Sequence, residues 1–326
     1  MPALNLALDL SLGLSTCRCS GTAMTAVGIR LVFLWCCWCG LASADAATMQ
    51  SDDRRPASGP NWERLLAEAE RLHLPTKFLR ALPREFVRFE FDDLRTYAAE
   101  YHPGDHRLIL NRTLSFNAAG GTLKPLARMT HKELDLLYHE LFHAYMDYLV
   151  SPDGPSTEVD GGSGSLMNFA RIQRRCRYTE VRITPVVQRN AETELRYLTE
   201  EESWEALNET WAVFIGWAVW NQLEVEQGSE RTILRHPDQM KRWARRLDLA
   251  FQNGDFRGYY VPEDPDERRT TQKRVLAQQS QLTWGEAAEL MTQVLGFPEE
   301  LVSDLGRRPG FPRSGVTESS CRISKR

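Results

Sequence analysis

Tyr138-His139-Glu140-Leu141-Phe142-His143-Ala144 organises the reading of everything around it. It lies within a stretch, Thr130 to Leu149, that reads as one helix. Thr130 with Glu133 three residues on has the form of a capping box. On a wheel of 100° per residue with Leu134 at 0°, Leu137, Tyr138, Leu141, Tyr145 and Tyr148 fall within about 60° of that direction. His139 falls at about 140°, His143 at about 180° and Glu140 at about 240°. One face is therefore apolar, and the opposite face carries two imidazoles and a carboxylate. Histidines at i and i+4 on one face reach the same metal ion, and the glutamate between them can act as general base towards a water that the ion activates. With 7 histidines in 326 residues, roughly 0.01 such matches arise by chance.

Two histidines do not complete a catalytic zinc site, which usually has three protein ligands and one open position. A third histidine six residues after His143 is absent, because Leu149 stands there. Glutamates on a second helix, read from Thr199 to Gln222 with Glu202 three residues after Thr199, offer the alternative. With Glu205 at 0°, Glu209, Ala212 and Gly216 lie within about 40° of it, while Trp204, Leu207, Trp211, Phe214 and Ala218 occupy the other half. Small residues on the glutamate face let two helix backbones approach closely, as a shared metal site needs.

His139-Glu140-Leu141-Phe142-His143 followed by a helical glutamate resembles the gluzincin branch of the zinc metallopeptidases. The resemblance covers about residues 130–220. It implies a zincin-like α+β catalytic domain, a Zn²⁺ ion held by His139, His143 and a downstream glutamate, Glu140 as the base, and a peptide or protein substrate. In that family an acidic residue four positions after the ligand glutamate often supports the first histidine. Glu205 and Glu209 have that spacing, which makes Glu205 the expected ligand and Glu209 its support. Leu207-Asn208-Glu209 also looks like the corresponding motif of aminopeptidase-type gluzincins, which would make Glu209 the ligand. Glu205 is preferred, since Val213 stands four residues after Glu209. Asp153, Glu158 and Asp160 are reserve ligands. His143-Ala144-x-x-Asp147-Tyr148, with Tyr197 upstream of Glu205, is similar to the lethal-factor type of catalytic domain, and by that likeness Tyr197 is expected to stabilise the oxyanion. The rival expectations are an inactive metal-binding relative that recognises peptides or envelope components, and a zinc hydrolase of non-peptide amides.

Elsewhere, Asn61 to Leu72 has helical spacing, Phe86 to Phe91 alternates as a strand, and Thr96 to Leu110 reads as a β-hairpin. That hairpin is expected to offer an edge along which an extended substrate pairs. A small sheet thus comes first, then the motif helix, then a mostly helical remainder, an α+β pattern. Ser151 to Ser165 reads as a loop. Arg171, Arg174, Arg175 and Arg177 read as a solvated basic surface. His102, His106 and His236 show no partner pattern, and His131, two turns before His139, reads as surface.

Upstream, Arg30, the apolar run Leu31 to Ala44 and the small-residue end Ala42-Ser43-Ala44 read as a signal peptide, with Met24 as the expected start. Cleavage there predicts an exported, secreted or periplasmic protein with no membrane span after processing. Residues 45–60 are expected to be a flexible lead-in, 61–306 the catalytic domain and 307–326 a polar tail. Cys176 and Cys321 can pair or stay free in that compartment. The net charge of −4, from 40 basic and 44 acidic residues, carries no electrostatic footprint of a nucleic-acid binder.

Overall fold

Local signals in the chain account for most of the helix boundaries. The computed structural model describes residues 59–95, 99–117, 121–152, 154, 161–183, 194–226, 236–271, 274–275 and 282–307. The signal-peptide segment, nearly all of the expected lead-in, all but the first residue of the tail, the reserve ligands Asp153, Glu158 and Asp160, and Cys321 lie outside the described residues. Helices α1 (Gly59–Arg71) and α2 (Lys77–Ala81) precede the strands β1 (Arg88–Asp92), β2 (Ala99–His102) and β3 (Arg107–Asn111). The sheet order is β1-β3-β2, with β1 parallel and β2 antiparallel to β3. Phe89 of β1 and Leu108 and Leu110 of β3 point into the core, as period-2 alternation requires. Among the described residues β1 and β2 are the two edges of this sheet.

Helix α3 (His131–Val150) begins where the sequence indicated. The Thr130 hydroxyl accepts from the Glu133 N–H, and the Glu133 carboxylate accepts from the Thr130 N–H, which closes a capping box. Its core face is Leu134, Leu137, Tyr138, Leu141, Phe142 and Tyr145, all buried. Helix α4 (Gly161–Gln173) starts inside the Gly- and Ser-rich stretch that composition assigns to a loop. A wider π-type turn, Arg174–Tyr178, follows it. Strands β4 (Glu180–Ile183) and β5 (Glu194–Tyr197) form a separate antiparallel pair.

Helix α5 (Glu200–Glu226) opens on a second reciprocal cap between Thr199 and Glu202. It is buried on nearly every side, by Leu207, Trp211, Phe214, Ile215 and Val219 among others, which marks it as the central helix. Against it pack α3 and α6 (Pro237–Asn253). Helix α6 ends at Gly254, whose φ of +72° is the left-handed conformation that favours glycine. The short pair β6 (Tyr259–Tyr260) and β7 (Arg274–Val275), with α7 (Pro265–Thr271) between them, is followed by α8 (Trp284–Glu289) and α9 (Glu299–Gly306). The architecture is α+β and mostly helical. No helix among the described residues is long and apolar enough to cross a membrane.

Half of the basic cluster departs from the sequence reading, since Arg171 and Arg175 are exposed as expected while Arg174 and Arg177 are not. Arg174 and Arg177 have side chains only 11% exposed. Arg177 is ion-paired to Glu286, which is fully buried and also accepts from Tyr178 Oη at 2.9 Å and Trp211 Nε1 at 3.0 Å. A carboxylate from α8 thus ties the π-type turn to α5 and draws an arginine inside. Cys176, in the same turn, is disulfide-bonded.

Candidate metal centre

Helices α3 and α5 bring His139, His143 and Glu209 together. The two Nε2 atoms are 3.0 Å apart, Glu209 Oε2 is 3.3 Å from His139 Nε2, and Glu209 Oε1 is 3.3 Å from His143 Nε2. Among the described residues these three form a group that can hold a metal ion. The side chains are 12%, 13% and 11% exposed respectively, so water screens them little.

The donor set fits a tetrahedral divalent ion. Ligands about 2.0–2.1 Å from a tetrahedral centre stand about 3.3–3.4 Å from one another, and each imidazole stands 3.3 Å from one oxygen of Glu209, Oε2 for His139 and Oε1 for His143. Two imidazole nitrogens facing each other at 3.0 Å can share one proton at most, and Glu209 Oε2 is buried without a hydrogen bond. A cation answers both. In its absence a proton does part of that work. Burial alone would lower the His143 pKa, but the charge and hydrogen bond of Glu209, with Glu140 and Asn208, raise it to about 9. Burial likewise penalises the Glu209 carboxylate, yet the two histidines hold it well below the usual range.

Of the two glutamates, Glu209 rather than the expected Glu205 stands beside the histidines. Glu205 does not join the histidines, and its Oε2 accepts from the Val261 N–H at 2.8 Å. The reason is helix register. Gly216 of α5 packs directly on Asp135 of α3. From that contact His139 and His143 lie four and eight residues along α3, or about 6 and 12 Å at 1.5 Å per residue. Running back along α5, Glu209 lies about 10.5 Å away and Glu205 about 16.5 Å. Glu209 comes level with the histidines and Glu205 overshoots by a turn. Glu205 instead works with Glu202, whose Oε1 accepts from the Glu263 N–H at 2.9 Å, to hold residues 261–263 against α5.

Glu140, on the next position of α3, accepts from the Tyr101 N–H of β2 through Oε2 at 2.9 Å. It borders the same cleft of about 750 Å³ as His139, His143, Glu205 and Glu209. Further cleft residues are Glu100 and Tyr101 from β2, Asp147 from α3, Arg174 from the π-type turn, and Tyr259 from β6. Among the described residues carboxylates dominate this wall, since Glu100, Asp147, Glu200, Glu201 and Glu205 join Glu140 and Glu209 while Arg174 is the one arginine or lysine among them.

Tyr197 is not part of the cleft lining and is 73% exposed. On β5 its neighbour Arg196 turns inwards to Glu194 at 2.7 Å and Glu267 at 3.0 Å. Strand alternation then sends Leu195 and Tyr197 to solvent. Tyr259 is the tyrosine that reaches the cleft from the C-terminal half, carried there by Gly258, whose N–H donates to Thr210 Oγ1 at 3.2 Å. Nothing in the local sequence marks it. His106, which lacks a sequence pattern, has a partner in Asp147 at 2.9 Å.

No protein-family model, curated protein or solved structure matches this chain. What the site can do is therefore read from its own geometry.

Proposed function

We propose that this protein is a zinc-dependent peptidase of the gluzincin type, in which His139, His143 and Glu209 hold the ion and Glu140 is the general base. The observation that supports this most is the convergence of His139, His143 and Glu209, with one ligand atom from each within 4.8 Å of the others, beside the carboxylate of Glu140 in one open cleft. Two imidazoles and a carboxylate suit zinc. When bound, the ion supplies Lewis-acid chemistry, acidifying water and polarising a carbonyl.

The chain's own groups supply the rest. Glu140 keeps Oε2 on the Tyr101 amide, which leaves Oε1 to take a proton from the attacking water and return it to the leaving amine. Glu209 and the facing imidazoles keep the donor set compact and little exposed. The β2 edge flanks the base and supplies a surface for an extended peptide. The same reading carries the expectation of export, with processing after Ala44.

Elemental analysis and hydrolysis of a mixed peptide library by the mature protein test this reading. About one zinc per chain, with cleavage lost in Glu140→Gln while zinc is retained, is the expected result. Full zinc with no peptide cleaved would point to a non-catalytic binding relative or to another amide substrate. Absence of zinc after reconstitution would end the metallopeptidase reading.

A further inference from the structure

Tyr101 touches the face of α3 at two places. Its N–H points off the β2–β3 ladder to Glu140 Oε2 at 2.9 Å. Its phenol donates to Asp147 Oδ2 at 2.6 Å. Glu140 and Asp147 are seven residues apart, about two helical turns, so one tyrosine spans the helix from the base to a second carboxylate. Asp147 Oδ2 is also 2.9 Å from His106 Nδ1, and the phenol oxygen is 3.2 Å from that same nitrogen. The His106 ring lies over Phe86, with centroids 4.1 Å apart and an interplanar angle of 31°. His106 holds φ at +54°, a conformation that costs energy for a residue with a side chain and persists where its surroundings impose it. Burial first, and then the bond to Asp147, push the Tyr101 pKa far upwards, so the phenol remains a donor.

We infer that Tyr101 and Asp147, backed by His106, are positioning residues for Glu140. The phenol–Asp147 bond fixes β2 along α3, and the Tyr101 amide then holds one oxygen of Glu140 so that the other faces the cleft. This rests on the reading of Glu140 as the base. A tie that only holds the hairpin to the helix would show in stability alone. A positioning role also shows in turnover, and in the exchange of one amide proton.

The test uses the zinc-loaded mature protein with Tyr101→Phe, Asp147→Ala and the double variant. Tyr101→Phe keeps the ring and its packing, so it folds even if Asp147→Ala does not. Three quantities are measured: hydrogen exchange of the Tyr101 amide, zinc per chain, and kcat with KM on a cleaved peptide. The expected result is unchanged zinc, amide exchange faster by about tenfold, and kcat lower by about tenfold with KM within about twofold. The double variant should be no worse than Asp147→Ala alone, because that change already removes the bond that Tyr101→Phe breaks. Unchanged exchange, a loss carried by KM, or additive losses in the double variant would overturn the inference. A wild type that cuts no peptide defeats the peptidase reading and leaves the turnover comparison without a substrate. Exchange then decides the clamp alone: it stands if Tyr101→Phe frees the Tyr101 amide and falls if that amide stays protected.

Discussion

A Cβ placed on Gly216 of α5 would lie 2.4 Å from the carbonyl oxygen of Asp135 on α3 and even closer to its carboxylate. The two helices therefore touch backbone to backbone at this point. That contact sets the level at which Glu209 meets the histidines. Asp135 itself is largely buried there, and loss of hydration pushes its pKa up to about 6 against the pull of His139 and His131.

Gly216→Val is expected to push α3 and α5 apart and loosen the ion site from a distance. Overpacking of this kind costs about 1–3 kcal/mol. Zinc affinity should fall by tenfold or more, with Glu140 and all three donors intact. Chelator competition on folded protein measures it. An affinity equal to wild type would remove Gly216 from the account of the site.

Glu209→Gln and Glu205→Gln should separate cleanly. Glu209→Gln takes away an anionic donor, and zinc should be lost or weakened by orders of magnitude. Glu205→Gln should keep its zinc, because Glu205 braces residues 261–263 rather than the ion. Its effect should instead appear as faster hydrogen exchange around Tyr259 and Val261. Loss of zinc in Glu205→Gln with retention in Glu209→Gln would reverse the assignment.

Metal uptake should depend steeply on pH. In the metal-free protein the His143 pKa is raised from 6.5 to about 9, so the imidazole must shed a proton before it can ligate. Apparent affinity should rise by about tenfold per pH unit up to pH 9 and then level off. The stability sign runs the other way. A raised imidazole pKa contributes stability that is complete below 6.5 and is lost as pH climbs through about 9. The depressed Glu209 pKa contributes stability present above 4.5 and lost only well into acid. Thermal melts of the metal-free protein should therefore weaken between pH 6.5 and 9, and Glu209→Gln should flatten that trend. A profile identical in both proteins would refute the pairing.

Glu286→Gln tests the buried tie behind the cleft. Glu286 is fully buried and paired with Arg177. Removing its charge strands a guanidinium that is only 11% exposed, which should cost about 3–5 kcal/mol. Denaturant unfolding reads this directly, and a change under about 1 kcal/mol would mean that water reaches the arginine.

The cleft wall should favour basic peptides. Its carboxylates outnumber its cations even with a divalent ion in place. For matched peptides, kcat/KM should be higher with Lys or Arg near the scissile bond, and that preference should shrink by roughly threefold or more between low and high salt. Equal rates for acidic and basic peptides would contradict it.

His139, Glu140 and His143 were legible from the sequence alone because their relation is local. Helical geometry places i and i+4 on one face, and a capping box at Thr130 secures the helix. The opposition of apolar and polar faces on α3 was legible for the same reason, as were the start of α5 and the α+β order of elements. The choice of Glu209 over Glu205 was not. The two lie about 40° apart on one helix face, and only the Gly216–Asp135 contact determines which stands level with the histidines. The exposure of Tyr197, the burial of Arg177 on a carboxylate 109 residues away and the Tyr101–Asp147–His106 cluster are of the same kind. Each depends on a contact between segments distant in the chain, and periodicity along one segment carries no information about the level at which another will cross it.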